Sequence, residues 1–241
     1  MKLGIYGDSF AAAPTNRRSW ITPLLVYDTQ IYADDGVSVD YTLKTFVETH
    51  EMFDKVIVCL TEPSRVYIPN HPNFNHMYLD EIYIKNKTRK IPYSEQKKIL
   101  DYFRFHVQYV QSREVEKHKF SAVYHYIKAL RKKDCLILPC FNKEEKNMHM
   151  PLMDISRIDL NNKDYGKKLR DCCDNYGDPR QCHLSPINNF ILGSKIKKWI
   201  RTSKFRHNIK DYQTTLTFEE LLFNDLRDHV HTTQSTHSVK P

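Results

Sequence analysis

Lys2-Leu3-Gly4-Ile5-Tyr6-Gly7-Asp8-Ser9-Phe10 is the stretch that decides how the chain is read. Leu3, Ile5 and Tyr6 make a short apolar run, and Gly7-Asp8-Ser9 ends it with residues that favour a turn. This is a strand running into a turn. The same unit recurs downstream. Residues 29–33 give a second short strand, stopped by Asp34-Asp35-Gly36, and residues 55–60 give a buried strand broken by Thr61-Glu62-Pro63. Between 39 and 53, Leu43, Phe46 and Val47 recur at helical spacing. Ile99, Phe103, Val107 and Val110 mark one face of a long helix starting near Ser94, and Val123, Ile127 and Leu130 mark another. A strand over 135–141 follows, and a last helix over 188–202 has Pro186 near its start, where a missing N–H costs nothing.

Strands alternating with helices predict an α/β fold, a three-layer α/β/α sandwich around a mostly parallel sheet. Ligands bind such sheets at the carboxyl ends of the strands. The turns at Asp8-Ser9, Gly36 and Thr61-Glu62 are therefore expected to share one edge. Two glycine-poor regions, around 66–95 and 142–178, read as long insertions. The α/β domain is expected over 1–205, with a C-terminal extension over 206–241 whose polar end frays.

Composition narrows the function. The 241 residues are 40% hydrophobic and 27% charged, enough for a substantial core and too apolar for a wholly disordered chain. No apolar run reaches the length of a membrane span. With no signal-like leader, the expected location is cytoplasmic (host cytoplasm or virion for a viral protein). The excess of 37 Lys and Arg over 29 Asp and Glu leaves a net charge of +8, compatible with an anionic partner. The densest basic stretch, 195–206, is interrupted by Ile196, Trp199 and Ile200, and reads as a solvated helix face. The cysteines do not read as a disulfide framework. Cys59 and Cys135 fall in strands, and the spacing of Cys172, Cys173, Cys182 and His183 is poor for zinc. No metal or other cofactor is expected.

The chemistry concentrates on Ser9. A serine directly after the first strand sits at the ligand edge, where backbone N–H groups can stabilise developing negative charge. Its hydroxyl needs a base, and His183, a few residues before the last helix, is the candidate. Gly7-Asp8-Ser9-Phe10 resembles the first sequence block of the SGNH (GDSL-type) hydrolases. Residues 178–189 look like the last block in a variant found in phage-encoded SGNH-like proteins, and residues 53–65 are similar to that variant's third strand and its exit.

This resemblance covers residues 1–65 and 178–200. It implies a flavodoxin-like sandwich of the SGNH hydrolase type, with Ser9 as nucleophile, His183 as base and Gly36 donating an oxyanion N–H beside that of Ser9. Two positions depart from the family pattern. Arg180 stands three residues before His183, where the family has an aspartate, so Asp178 is the nearest acid. The turn after the third strand has no asparagine; Thr61 is the hydroxyl available to an oxyanion there, while an ionised Glu62 cannot donate. Asp8 is read as holding its turn. Arg65 is read either as a contact for an anionic substrate or as a surface salt bridge.

Two functions remain open. One is a serine ester hydrolase acting through an acyl-enzyme on small, O-acetyl sugar or lipid esters, with acyl transfer using the same residues. The other is a degenerate site on the same fold, binding a polyanion through a basic surface. A nucleotide-binding Rossmann sheet lacks its glycine fingerprint and any Walker motif.

Overall fold

The computed structural model describes residues 1–12, 19–34, 36–68, 71–74, 92–132, 134–141, 148–152, 184 and 186–212. Four strands, β1 (Lys2–Gly7), β2 (Asp28–Ala33), β3 (Lys55–Leu60) and β6 (Cys135–Pro139), form a parallel sheet in the order β2-β1-β3-β6. Leu3 and Ile5 lie opposite Thr29 and Ile31 on one side of β1, and opposite Lys55 and Ile57 on the other.

Because side chains alternate across a strand, each strand feeds two cores. Leu3, Ile5, Ile57, Cys59, Leu136 and Leu138 point to one face. There they meet Trp20, Ile21 and Leu24, together with Leu192, Ile196 and Trp199 of α4 (Pro186–Thr202). Tyr6, Val56, Val58, Leu60 and Ile137 point to the other face. They pack on Val39 and Phe46 of α1 (Val39–Thr49) and on Phe120, Val123 and Ile127 of α3 (Arg113–Leu130). The result is a three-layer α/β/α sandwich. Each fully buried aliphatic or aromatic side chain contributes about 1.5–3 kcal/mol relative to exposure, so strands buried on both faces anchor the fold.

Local signals set the helix starts. Ser38 caps α1 by accepting the Tyr41 N–H, and Ser112 caps α3 by accepting the Val115 N–H. Pro186 is the first residue of α4, two residues earlier than expected from the pattern. Along the basic stretch, Lys198 and Arg201 of α4 are exposed while Ile196, Trp199 and Ile200 are buried, and exposed Lys204 and Arg206 follow the helix end at Thr202.

The structure departs from the sequence reading in several places. The helix expected to reach 53 ends at Thr49 and tightens into a 3₁₀ turn (His50–Met52), which lets buried Phe53 extend into β3. The strand expected to reach 141 ends at Pro139, although the Cys140 N–H still reaches the Leu60 carbonyl. Cys135, at the start of that strand, is only partly buried, whereas Cys59 is fully buried. Val110 and Leu130, placed on buried helix faces, are exposed. Helix α2 (Tyr93–Phe105) passes into a wider π turn (His106–Val110). Within the region read as an insertion, β4 (Val66–Ile68) and β5 (His71–Phe74) pair antiparallel as a small second sheet. No helix among the described residues is long and apolar enough to cross a membrane.

Packing continues past position 205. Tyr212 is buried in the α4-side core, and its hydroxyl lies 2.6 Å from His207 Nδ1. His207 Nε2 lies 3.2 Å from the Met150 carbonyl. Nε2 is thus the protonated nitrogen, and Nδ1 accepts from the phenol. Burial, with the charge of His149 next, lowers the His207 pKa from 6.5 to about 4. Between these values the unfolded chain binds the proton and the folded one does not. Stability is therefore full above pH 6.5 and falls as the pH drops toward 4, by about 1–3 kcal/mol. Urea denaturation at pH 7 and pH 4.5 should show that loss in the native protein and a smaller one in His207→Phe. Equal losses in the two proteins would remove His207 from the acid response.

Candidate functional site

The strand order places the site. The chain moves from β1 to β2 on one side, then crosses to β3 on the other, so the direction of winding reverses between β1 and β3. At such a reversal the loops leaving the two strands diverge and open a crevice beyond their carboxyl ends. Asp8-Ser9 leaves β1 there and Thr61-Glu62 leaves β3.

Gly7 lets the two strands close on each other at this point. Its φ is +146°, and a Cβ would lie 2.7 Å from both the Cβ and the carbonyl oxygen of Cys59. Only glycine fits that approach. The chain then turns, with the Ala11 N–H bonding the Asp8 carbonyl at 2.8 Å.

Asp8 is the hub of the crevice. Its carboxylate is fully buried, and Oδ2 accepts the Thr61 hydroxyl at 2.6 Å and Arg65 Nη1 at 2.9 Å. Oδ1 accepts the Phe10 N–H at 3.1 Å, and the Cys140 thiol lies 3.6 Å away. Burial, the Cys59 thiol and Asp8 together raise the Cys140 pKa well above the usual thiol value, so Cys140 is a neutral donor. Arg65 Nη1 also donates to the Val37 carbonyl at 3.2 Å, and its guanidinium lies over the Phe141 ring. Segments leaving β1, β3 and β6 thus meet on one carboxylate, and the loop after β2 joins them through Arg65. A buried ion pair holds only when such extra hydrogen bonds offset desolvation.

The expected site residues divide accordingly. Ser9 sits at the carboxyl end of central β1, partly exposed, and its hydroxyl makes no hydrogen bond to a described residue. Gly36 lies beyond the end of β2 with φ +76° and open space around its Cα, so glycine is needed there for conformation rather than packing. Thr61 corrects the sequence reading: its hydroxyl proton is committed to Asp8 and is not free for an oxyanion. Arg65 corrects it as well. It is neither a surface salt bridge nor turned toward solvent, but 7% exposed and paired inward with Asp8. His183 and Asp178 lie outside the described residues, as do Cys172, Cys173 and Cys182.

The residues adjoining His183 are anchored. Trp20 Nε1 donates to the Phe10 carbonyl at 2.7 Å, and the Trp20 N–H donates to Asn189 Oδ1 at 3.0 Å. Asn189 Nδ2 in turn holds the Leu184 carbonyl at 2.9 Å. The start of α4 is therefore tied to the turn that carries Ser9. Sequence reasoning missed the parts played by Cys140 and the Val37 carbonyl. Cys140 left no signal in the sequence, and a backbone carbonyl leaves none.

Fold and site define an α/β/α sandwich with a buried polar cluster at its winding reversal, organised on a buried aspartate next to a partly exposed serine. No protein-family model matches the chain, and no curated protein does. One solved structure that it matches is described as a member of the lipolytic protein G-D-S-L family from Veillonella parvula. The two are 9% identical over 94% of this chain and 97% of that one, with a TM-score of 0.29. At that score the likeness carries no argument.

Proposed function

We propose that the protein is a serine hydrolase of carboxylic esters, with Ser9 as its nucleophile. One observation carries the reading. Ser9 stands at the winding reversal with its hydroxyl unbound by any described residue, while its neighbour Asp8 is turned inward and fully bonded. The residue positioned for ligand is the serine.

In the mechanism this reading implies, Ser9 Oγ attacks the ester carbonyl and His183 takes its proton, returning it to the leaving alcohol. Water then hydrolyses the acyl-enzyme with the same base. The N–H groups of Ser9 and Gly36 are the oxyanion donors, and Asp178 orients the imidazole. The anchoring of Leu184 to Asn189 supports His183 as the base, because it fixes the next residue on the Ser9 side of the molecule. Small, O-acetyl sugar or lipid esters are the substrate class, and the site on these terms resembles that of the SGNH hydrolases.

The bonding of Thr61 to Asp8 favours a second reading, a binding protein on this fold, since it removes a donor from the third-strand turn. A fluorophosphonate probe separates the two. Mass mapping of the labelled protein is expected to show the adduct on Ser9, with turnover of p-nitrophenyl acetate or butyrate. No adduct and no turnover, with affinity for a polyanion that falls steeply with salt, would move the assignment to binding.

A further inference from the structure

We infer that Arg65 is a positioning residue, holding the loop after β2, and with it Gly36, in fixed relation to the Ser9 turn. The inference rests on the reading of Ser9 and Gly36 as partners in one oxyanion site, but the tether itself is a matter of geometry.

A single guanidinium nitrogen bridges two loops. Arg65 Nη1 donates to Asp8 Oδ2 at 2.9 Å and to the Val37 carbonyl at 3.2 Å. Asp8 closes the Ser9 turn by accepting the Phe10 N–H, and Val37 is the residue after Gly36. Apart from Gly36 and its chain neighbours, no described residue comes within 4 Å of a Cβ placed there, so side-chain packing around that position does not fix it. Its backbone is free to visit many conformations, and its place must be set through its neighbours. Val37 is fully buried, and its carbonyl is held by Arg65. Ser38, next along, caps α1 through the Tyr41 N–H. One side of the Gly36 loop is therefore tied to the helix and to the nucleophile turn through Arg65.

Arginine suits this task better than lysine. Its guanidinium lies over the Phe141 ring, 5.3 Å from the centroid, while one nitrogen serves two acceptors. The exit turn of β3 that carries Arg65 is itself braced. Lys119 Nζ donates to the Pro63 carbonyl at 3.4 Å, and Gln111 Nε2 donates to the Ser64 carbonyl at 3.3 Å. The cation is fixed from behind by the α2–α3 elbow and reaches both the Ser9 turn and the loop after β2.

Amide hydrogen exchange in the native protein, Arg65→Met and Arg65→Lys tests the tether without requiring activity. Exchange at Tyr41 and Thr42, whose N–H groups bond Ser38 beside the tethered Val37, is expected to rise about tenfold in Arg65→Met. A smaller rise is expected in Arg65→Lys, which keeps the charge but not the planar guanidinium. The amides of β1 and β3 should lose less protection than Tyr41 and Thr42 in both variants, since Asp8 keeps the Thr61 and Phe10 donors. Phosphonylation of Ser9 should slow in the same order, through the maximal rate rather than through reagent affinity. Unchanged exchange at Tyr41 and Thr42 in both variants overturns the inference. So does an equal loss of protection throughout the sheet, which would leave Arg65 a general stabiliser. If the native protein does not label at Ser9, the hydrolase reading fails while the exchange data still decide the tether.

Discussion

Replacing Ser9 by alanine is expected to lower kcat/KM for p-nitrophenyl acetate by at least about 10³-fold, because the acyl-enzyme route then has no nucleophile. The unfolding midpoint should stay within about 0.5 kcal/mol of the native protein. The hydroxyl holds no described residue, and alanine fits the same partly exposed turn. His183→Ala should lose a similar factor, and the double variant little more than either single one, since nucleophile and base act as a unit. Steady-state kinetics on all three proteins, with circular dichroism to check the fold, measures this. Undiminished turnover in a folded Ser9→Ala protein would exclude Ser9 as nucleophile and send the search to another residue of the crevice.

The second large effect is on stability. Asp8→Ala should destabilise the fold by about 3–5 kcal/mol, because it strands the Arg65 guanidinium in a site that is 7% exposed. The loss spreads beyond the ion pair. The Thr61 hydroxyl loses its acceptor as well, and an unpaired buried donor adds about 1–3 kcal/mol unless water replaces the carboxylate. Asp8→Ala combined with Arg65→Met should be milder than the sum of the two single changes, since no uncompensated charge remains. Urea denaturation of the two single variants and the double variant gives the comparison. An Asp8→Ala protein within 1 kcal/mol of the native one would mean that water already shares the burden of this cluster.

The two large effects sit on adjacent residues with opposite roles. On the proposed reading Ser9 contributes little to stability and keeps its hydroxyl for a substrate. Asp8 is bonded on both carboxylate oxygens and holds the turn in which Ser9 stands. A rigid turn is what fixes a nucleophile against its oxyanion donors within the tolerance that catalysis requires.

Much of the sandwich was legible because burial on both faces of a parallel strand demands a run of β-branched and aliphatic residues. Residues 55–60 read as such a run, and β3 has those limits. The 2–6 run ahead of Gly7-Asp8 read equally well, and it is β1. Ends were less legible. Where α1 gives way at Thr49 depends on the need for Phe53 to reach the core, a demand made by β1 and β3 and not by the helix itself. The β4–β5 pair was missed because a hairpin this short adds few apolar positions to the pattern, although Pro69-Asn70 between its strands is a turn signal. At the site, the positions of Ser9 and Gly36 followed from strand ends, a local property. Thr61 and Arg65 were located at the right edge but given the wrong direction.

What the sequence determined by itself is the alternation of buried strands and amphipathic helices, and hence the edge at which Ser9 would emerge. Those are periodicities, set by which residues water rejects over a span of a few positions. Only the tertiary structure decided what Thr61 and Arg65 do. Pairing β1 beside β3 brings Asp8 within 2.9 Å of a cation 57 residues away, and a buried carboxylate there draws in every donor within reach. Without that register both side chains would face solvent, and no property of their own stretch of chain distinguishes the two outcomes.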